Sequence, residues 1–290
     1  MKIAFAGLGV MGAPMGRHLI AAGHAVAGFN RSPDKARTWA GATGGRFAAS
    51  VAEAAEDAEL FILCVGNDDD VRQVVGEALP HLAAGAVIVD HTTTSARVAR
   101  EMAALAAEVG RFFIDAPVSG GQAGAENGQL SVMAGGDADA LARVEPALMT
   151  YAKAVKHMGP SGAGQLTKMV NQIAIAGVVQ GLAEAVHFAQ SAGLDTDAVY
   201  DAISKGAAQS WQVDNRWKTA AKGEFDFGFA VDWMRKDLGL VLDEARANGA
   251  KLEMTALVDG YYAEVQAMGG ARWDTSSLAA RLQARTNTKG

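Results

Sequence analysis

An α/β domain built on a parallel sheet, followed by an all-α domain, is the fold this sequence predicts. Three observations carry it. Short apolar runs alternate with helical patterns through the first half of the chain, the first of those runs ends in a glycine-rich turn that opens a helix, and no strand pattern survives beyond Gly164. The strands are apolar throughout rather than at alternate positions, which indicates a sheet covered on both faces.

The elements follow in order. "KIAFAG" is a strand, and "MGAPMGRHLIAAG" a helix that Gly23 closes as a C-cap. "HAVAGFN" is the second strand. "SPDKARTWAGA" is a helix with Ser32 before Pro33 at its start. "ELFILCV" is a strand, "DVRQVVGEALPHL" a helix, "GAVIVDHT" a strand, "SARVAREMAALAAEVG" a helix and "RFFIDAPV" a strand. "QLSVMAGGD" and "AVKHMG" then flank the helix "ADALARVEPALMTYA". From there on only helical patterns remain: a long apolar one over 166–185, then "DTDAVYDAISKG", "DNRWKTAAKG", "AVDWMRKDLGLVLDEARANG", "LEMTALVDGYYAEVQAMG" and "SSLAARLQAR". The domains are therefore expected at 1–161 and 162–290, with a polar C-terminal tail expected to fray.

Composition narrows the function. The 290 residues suit one large or two ordinary domains, and 32 acidic side chains against 26 Lys and Arg give a net charge of -6. A mildly acidic chain with no basic run argues against nucleic acid and against an anionic membrane surface. Cys64, the only cysteine, lies in the apolar run "LFILCVG", where a small core residue is expected; one cysteine makes neither an intrachain disulfide nor a thiolate cluster. Glu, Gln or His interrupts each apolar stretch, so none is read as a membrane span, and "MKIAFAGLGV" reads as strand and turn rather than signal peptide. A cytoplasmic location is the expectation. The six histidines are scattered without metal-ligand spacing, so no metal site is expected. The acidic run "NDDD" at 67–70 stands where a helix begins, and capping with a favourable dipole explains it better than a cation.

The first turn reads "GLGVMG", placing Gly7, Gly9 and Gly12 in the G-x-G-x-x-G spacing between a strand and a helix. Gly7 permits the tight turn, Gly9 lets a pyrophosphate approach the backbone, and Gly12 lets helix and strand pack closely. The intervening Leu8, Val10 and Met11 share that turn, whose helix N-terminus faces the phosphates. After the second strand, where an NAD site usually carries an acid on the adenosine ribose, the chain has Asn30, Arg31 and Ser32. A guanidinium with two small polar neighbours suits a ribose 2′-phosphate, so NADP(H) is the expected cofactor and NAD(H) the weaker one.

Three further segments carry chemistry. "DAPVSGG", 115–121, ends a strand in Ser119, Gly120 and Gly121, whose hydroxyl and bared amides can cradle a carboxylate. "GAGQLTKMVNQ", 162–172, puts Lys168, Asn171 and Gln172 on one face of an otherwise apolar helix. A lone lysine there could simply extend its head to water along an apolar surface. "RKDLGL", 235–240, places Lys236 inside another helix.

Together with "GLGVMG", these segments in this order resemble the β-hydroxyacid dehydrogenase family over essentially the whole chain. That family includes 3-hydroxyisobutyrate dehydrogenase, tartronate semialdehyde reductase and the glyoxylate/succinic semialdehyde reductases. The resemblance implies an N-terminal Rossmann domain, an α-helical C-terminal domain that also makes subunit contacts, and an active site between them. It implies Lys168 as the catalytic acid/base with Asn171 beside it, and Ser119, Gly120 and Gly121 on a substrate carboxylate. It further implies Thr93 by the nicotinamide ribose, with Phe229 and Lys236 closing over the cofactor. Gln172 stands where many members carry a second Asn, and "CVGND" replaces the usual Leu-Pro, which bears on the cofactor contacts of Val65 and Gly66. Trp211 in "AQSWQ" is a candidate for the substrate pocket, although helix-packing aromatics are commoner. A homodimer or homotetramer is expected, because the helical domain is strongly apolar.

The expected function is interconversion of a small carboxylated aldehyde and its hydroxyacid. Imine reductases share the architecture but typically lack the lysine. 6-Phosphogluconate dehydrogenase has a much longer helical domain. A non-catalytic NADP-binding protein on this fold would not need Lys168 and Asn171.

Overall fold

The computed structural model of the chain describes residues 1–287. It divides into two compact units, the first Met1–Lys168 and the second from Met169 onward. The division falls seven residues after the expected one, inside a helix rather than before it. The first turn of that helix is hydrogen-bonded to the sheet, as described below, and so counts with the first unit. The expected frayed tail lies beyond the described residues.

The first unit is a nine-stranded sheet covered by helices. In chain order it holds β1 (Lys2–Ala6), α1 (Gly12–Ala21), β2 (Ala25–Phe29), α2 (Pro33–Thr43), β3 (Arg46–Phe47), α3 (Val51–Ala55), β4 (Leu60–Leu63) and α4 (Asp68–Ala78). Then come β5 (Val87–Asp90), α5 (Ala96–Glu108), β6 (Phe112–Asp115), β7 (Val118–Ser119), α6 (Gly121–Glu126), β8 (Leu130–Gly135), α7 (Ala138–Leu148) and β9 (Ala152–Gly159). Pairing runs β3-β2-β1-β4-β5-β6-β8, with β7 and β9 also on β8. Strands β1 to β6 are all parallel, whereas β6 and β7 meet β8 antiparallel. This is the expected Rossmann arrangement. Strands β4 and β5 are buried at every residue, as their unbroken apolar runs require.

Two apolar clusters cover the two faces. Phe5, Leu19, Trp39, Ile62 and Val89 lie in one, and Ala6, Phe61, Leu63, Val75 and Ile88 in the other. Cys64 is half-buried against the first cluster rather than fully inside it. Four short elements escape the sequence reading: β3, α3, β7 and α6. The expected single strand over 111–118 is broken because Pro117 offers no N–H to the ladder, so β6 ends at Asp115 and β7 starts again at Val118. The acidic run does cap: Asn67 Oδ1 accepts the Asp70 N–H at 2.9 Å.

The second unit is helical. Helix α8 (Ala163–Ser191) enters it and α9 (Thr196–Ile203), α10 (Trp211–Lys222), α11 (Val231–Asn248), α12 (Glu253–Ala267) and α13 (Leu278–Asn287) follow. One expectation fails: α8, at 29 residues and a mean hydropathy of 1.3 over its most apolar window, is long and apolar enough to cross a membrane. Gln and His residues do not lower the average enough. Its apolar length serves a core, since Ala176, Val179, Leu182, Ala183 and Val186 pack with Trp217, Leu238 and Tyr262.

Candidate active site

The carboxyl end of β1 opens into the glycine turn, next to β4, where the strand order reverses. A Cβ on Gly7, whose φ is +96°, would run into the Cys64 carbonyl, and one on Gly12 would meet the Gly7 carbonyl and the Phe5 ring. Gly9 has no protein atom within 4 Å of the position a Cβ would take. The turn is therefore tight where it folds on itself and open where a phosphate would approach. The first turn of α1 carries no side-chain cap and no acid. Asn67, Ser95 and Asp137, by contrast, cap α4, α5 and α7. An uncapped helix start leaves its N–H groups for an anion. Leu8 is buried in the core, Met11 packs half-buried against it, and Val10 is exposed.

Residues expected at the adenosine ribose divide in two. Asn30 is engaged inside the protein: its Oδ1 accepts from Leu8 N–H at 3.0 Å and its Nδ2 donates to the Ser32 carbonyl at 3.2 Å. It ties the glycine turn to the end of β2. Arg31 and Ser32 are exposed, and Arg31 Nη1 stands 3.4 Å from Asp70 Oδ1. The N–H groups of Val65 and Gly66 donate to Thr92 Oγ1 at 3.0 Å and Asp70 Oδ2 at 3.1 Å. Any cofactor contact of these two residues must therefore use carbonyls or the Val65 side chain.

The carboxyl ends of β5 and β6 carry a buried polar cluster that the sequence reading did not single out. Asp115 accepts from Gly162 N–H at 2.7 Å and from Gln165 N–H at 2.9 Å, so a strand residue caps the first turn of α8. Gln165 is fully buried; its Oε1 accepts Thr94 N–H at 3.0 Å and its Nε2 donates to the Thr92 carbonyl at 2.7 Å. His91 Nδ1 lies 2.6 Å from the Ala116 carbonyl, so this nitrogen carries the proton. Its Nε2, 2.8 Å from Tyr151 Oη, then accepts from the phenol. Burial lowers the His91 pKa to about 4, against the Ala116 hydrogen bond, and the ring stays neutral. Burial likewise raises Asp115 to about 6, although backbone donors of α8 pull it down. The only sequence signal for this cluster is position: Asp115 opens "DAPVSGG", Gln165 lies in "GAGQLTK", and His91 ends an apolar strand.

Within the same unit, Thr92 and Thr94 are buried and Thr93 between them is half-exposed. Ser119 ends β7 half-buried, and Gly120 and Gly121 are exposed with φ of +127° and +60°. These positive values turn the backbone sharply after Ser119, a conformation that glycine adopts without strain. Lys168 is only 8% exposed. Burial of this kind requires that an ammonium be paired or hydrogen-bonded.

In the helical unit Asn171 donates to Gln172 Oε1 at 2.8 Å, and Gln172 Nε2 to Asp237 Oδ2 at 2.7 Å. Lys236 Nζ lies 3.2 Å from Asp237 Oδ1. The amide that replaces a second Asn is thus buried and bonded to α11. Phe229 is partly exposed in the loop before α11, where its N–H donates to Asp274 Oδ2 at 3.0 Å. Trp211 opens α10 at 57% exposure with the Arg216 guanidinium 4.8 Å over its ring, whereas Trp217 is buried in the helical core. Among the described residues no group of three His, Cys, Asp or Glu could hold a metal ion.

Comparison with known proteins agrees along the whole chain. Residues 2–159 match the family model for the NAD binding domain of 6-phosphogluconate dehydrogenase, and 162–282 that for the NAD-binding domain of NADP-dependent 3-hydroxyisobutyrate dehydrogenase. An uncharacterized oxidoreductase of Shewanella frigidimarina is 60% identical, over 97% of this chain and 98% of its own. A probable 3-hydroxyisobutyrate dehydrogenase-like protein of Arabidopsis thaliana is 41% identical over 99% of this chain and 86% of its own. Among solved structures, 3-hydroxyisobutyrate dehydrogenase of Mycobacterium tuberculosis with L-serine superposes with a TM-score of 0.88. It is 35% identical, over 97% of this chain and 98% of that one.

Proposed function

This chain belongs to the β-hydroxyacid dehydrogenase family of NAD(P)-dependent oxidoreductases, and we propose that it interconverts a small carboxylated aldehyde and its hydroxyacid with NADP(H). Glyoxylate, tartronate semialdehyde and succinic semialdehyde are the candidate aldehydes. The observation that carries this reading is Lys168, an ammonium held nearly out of water on a helix whose first turn is bonded to the strand that leads to Ser119. The Gly7–Gly12 turn and Arg31 would hold the cofactor, which when bound would supply the hydride. Lys168 stabilises the negative charge that develops on the carbonyl oxygen and delivers its proton; neutral Lys168 takes the hydroxyl proton in reverse. Asn171, one turn on along α8, orients the substrate oxygen, while the Ser119 hydroxyl and the amides at Gly120 and Gly121 hold the carboxylate. Thr93, Phe229 and Lys236 complete the cofactor site in this reading, with Trp211 at the substrate.

Arg31 and the absence of an acid after β2 support NADP(H) over NAD(H), as does the match to a model named for an NADP-dependent enzyme. Lys168 and Asn171 speak against an imine reductase and against a non-catalytic binding protein. The same reading has the protein working in the cytoplasm as a homodimer or homotetramer, supported by the exposed Phe188 and Leu194 of the helical unit. A monomer in sedimentation equilibrium would remove that part.

The test is NADPH oxidation with succinic semialdehyde, glyoxylate and an uncharged aldehyde of similar length, in the intact protein and in Lys168→Ala. Turnover should fall by about two to four orders of magnitude in the variant while NADPH still binds. The neutral aldehyde should have a lower kcat/KM, by about tenfold to a hundredfold, because the Ser119 hydroxyl and the amides at Gly120 and Gly121 would lose a charged hydrogen-bond partner. Equal reduction of charged and neutral aldehydes removes the carboxylate from the reading. Turnover within a few-fold in Lys168→Ala removes the lysine.

A further inference from the structure

Helix α8 reaches the sheet unusually closely. A Cβ on Gly164 would meet the carbonyls of Met133 and Asp115, and one on Gly135 would meet the backbone N–H groups at Ala163 and Gly164. The glycines let the first turn of α8 lie directly on the backbones of β6 and β8. Two buried side chains then lock it there. Asp115, at the last position of β6, takes the Gly162 and Gln165 N–H groups, which would otherwise be orphans of the helix start. Gln165 reaches the other way and holds one donor and one acceptor of the loop after β5, at Thr94 and Thr92. Thr92 in turn receives Val65 N–H from the end of β4. Three strand ends and one helix start are thereby joined through three buried side chains, those of Asp115, Gln165 and Thr92.

The residues with proposed chemical roles hang on this joint. Lys168 follows Gln165 by three positions, so the two lie on one face of α8 within a single turn. Ser119 follows Asp115 by four, on the chain leaving β6. Thr93 sits between the two residues that Gln165 holds.

We propose that Asp115 and Gln165 are positioning residues, which set where the Lys168 ammonium stands relative to the carboxylate seat at Ser119–Gly121 and the loop at Thr93. The inference rests on the reading of Lys168 as proton donor. Neither residue touches substrate; both act on proton transfer through the geometry of Lys168. A misplacement of about 1 Å at such a site costs on the order of a hundredfold in rate. The same joint explains why Asp115 remains buried although burial raises its pKa to about 6.

Gln165 gives the sharper test, since its two bonds can be removed separately. Gln165→Met keeps the length and removes both. Gln165→Glu keeps the acceptor for Thr94 N–H and, while ionised, lacks the donor for the Thr92 carbonyl; once protonated, it regains an O–H donor. With succinic semialdehyde and NADPH, Gln165→Met should lower kcat by about tenfold to a hundredfold. Its NADPH dissociation constant, read by cofactor fluorescence, should change by a smaller factor than kcat, because the glycine turn and Arg31 lie on other strands and only the Thr93 contact lies in the loop that Gln165 holds. Gln165→Glu should recover activity as pH falls, relative to Gln165→Met at the same pH. Asp90, His91, Arg100, Asp115, Tyr151 and Lys168, ionisable groups around the joint, are present in both variants, so their titration cancels in the ratio. If Gln165→Met does not fold, the pH-dependent recovery of Gln165→Glu against the intact protein carries the test. A kcat within threefold of the intact protein in Gln165→Met overturns the inference, as does a Gln165→Glu ratio flat from pH 5 to 8. Lys168→Ala is measured alongside: if it also retains turnover, the proton-donor reading has failed. If it alone is inactive, only the positioning inference has.

Discussion

In the sheet unit the buried and half-buried polar side chains bond to main chain: Asp115 to Gly162 and Gln165, Gln165 to Thr92 and Thr94, His91 to Ala116, Asn30 to Leu8. In the helical unit they mostly bond to one another: Gln172 to Asp237, Arg235 to Asp259, Arg281 to Glu264. The reason is where free backbone groups exist. Parallel strands end in loops whose N–H and C=O groups have left the ladder, whereas the interior of a helix has already used its own. Asp274 confirms the rule from the other side. It lies in the helical unit but at a loop, and it takes the N–H groups of Phe229 and Ser276 as well as Arg216. Side chains bonded to backbone inherit its rigidity, and the proposed chemistry concentrates where such bonds are densest.

The difference predicts how each unit responds to losing a polar group. Asp115→Ala should cost on the order of 3–5 kcal/mol in urea unfolding, since it strands several buried N–H groups that no second substitution can delete. Asp237→Leu should cost about 1–3 kcal/mol by stranding the Gln172 amide, and adding Gln172→Leu should recover at least half of that. If the double variant recovers nothing, the helical pairs are as rigidly placed as the sheet contacts and the contrast fails.

Arg31 sharpens the comparison at the other extreme, since its side chain is 87% exposed and its ion pair with Asp70, at 3.4 Å, is long. It should contribute little to folding. Arg31→Ala should leave the urea midpoint unchanged and weaken NADPH about tenfold to a hundredfold, while NADH binding barely moves. Equal loss for both cofactors would show that Arg31 does not face the 2′-phosphate.

The smallest effect is a matched pair of titrations within the sheet unit. His91, lowered to about 4, contributes stability that is present above its unfolded value of 6.5 and lost as pH falls through 4. Asp115, raised to about 6, does the reverse: its contribution is present below 3.8 and lost as pH rises through 6. Between about pH 4 and 6 the two slopes oppose each other. Replacing His91 by Gln should therefore make stability rise on acidification relative to the intact protein, by at most about 1.4 kcal/mol per pH unit. Urea midpoints at pH 4.5, 5.5 and 6.5 measure it, and parallel curves for the two proteins would show that His91 titrates normally.

What the sequence alone determined here is whatever depends on neighbouring residues. Apolar runs and helical periodicity placed the main strands and helices. The Gly7–Gly12 spacing located the turn, and Asn67 and Gly23 marked helix ends, because caps and positive φ angles are settled within a few residues. Lys168 was legible through its incongruity on an apolar helix. The short elements β3, α3, β7 and α6 were not legible, since two to six residues carry no period. Only the tertiary structure decided which buried polar groups meet: Asp115 with Gln165 across 50 positions, Gln172 with Asp237 across 65, Asn30 with Leu8 across 22. No local rule links such positions. A hydrogen bond needs its partners within about 3 Å, and at these separations only the packing of strands and helices brings them there.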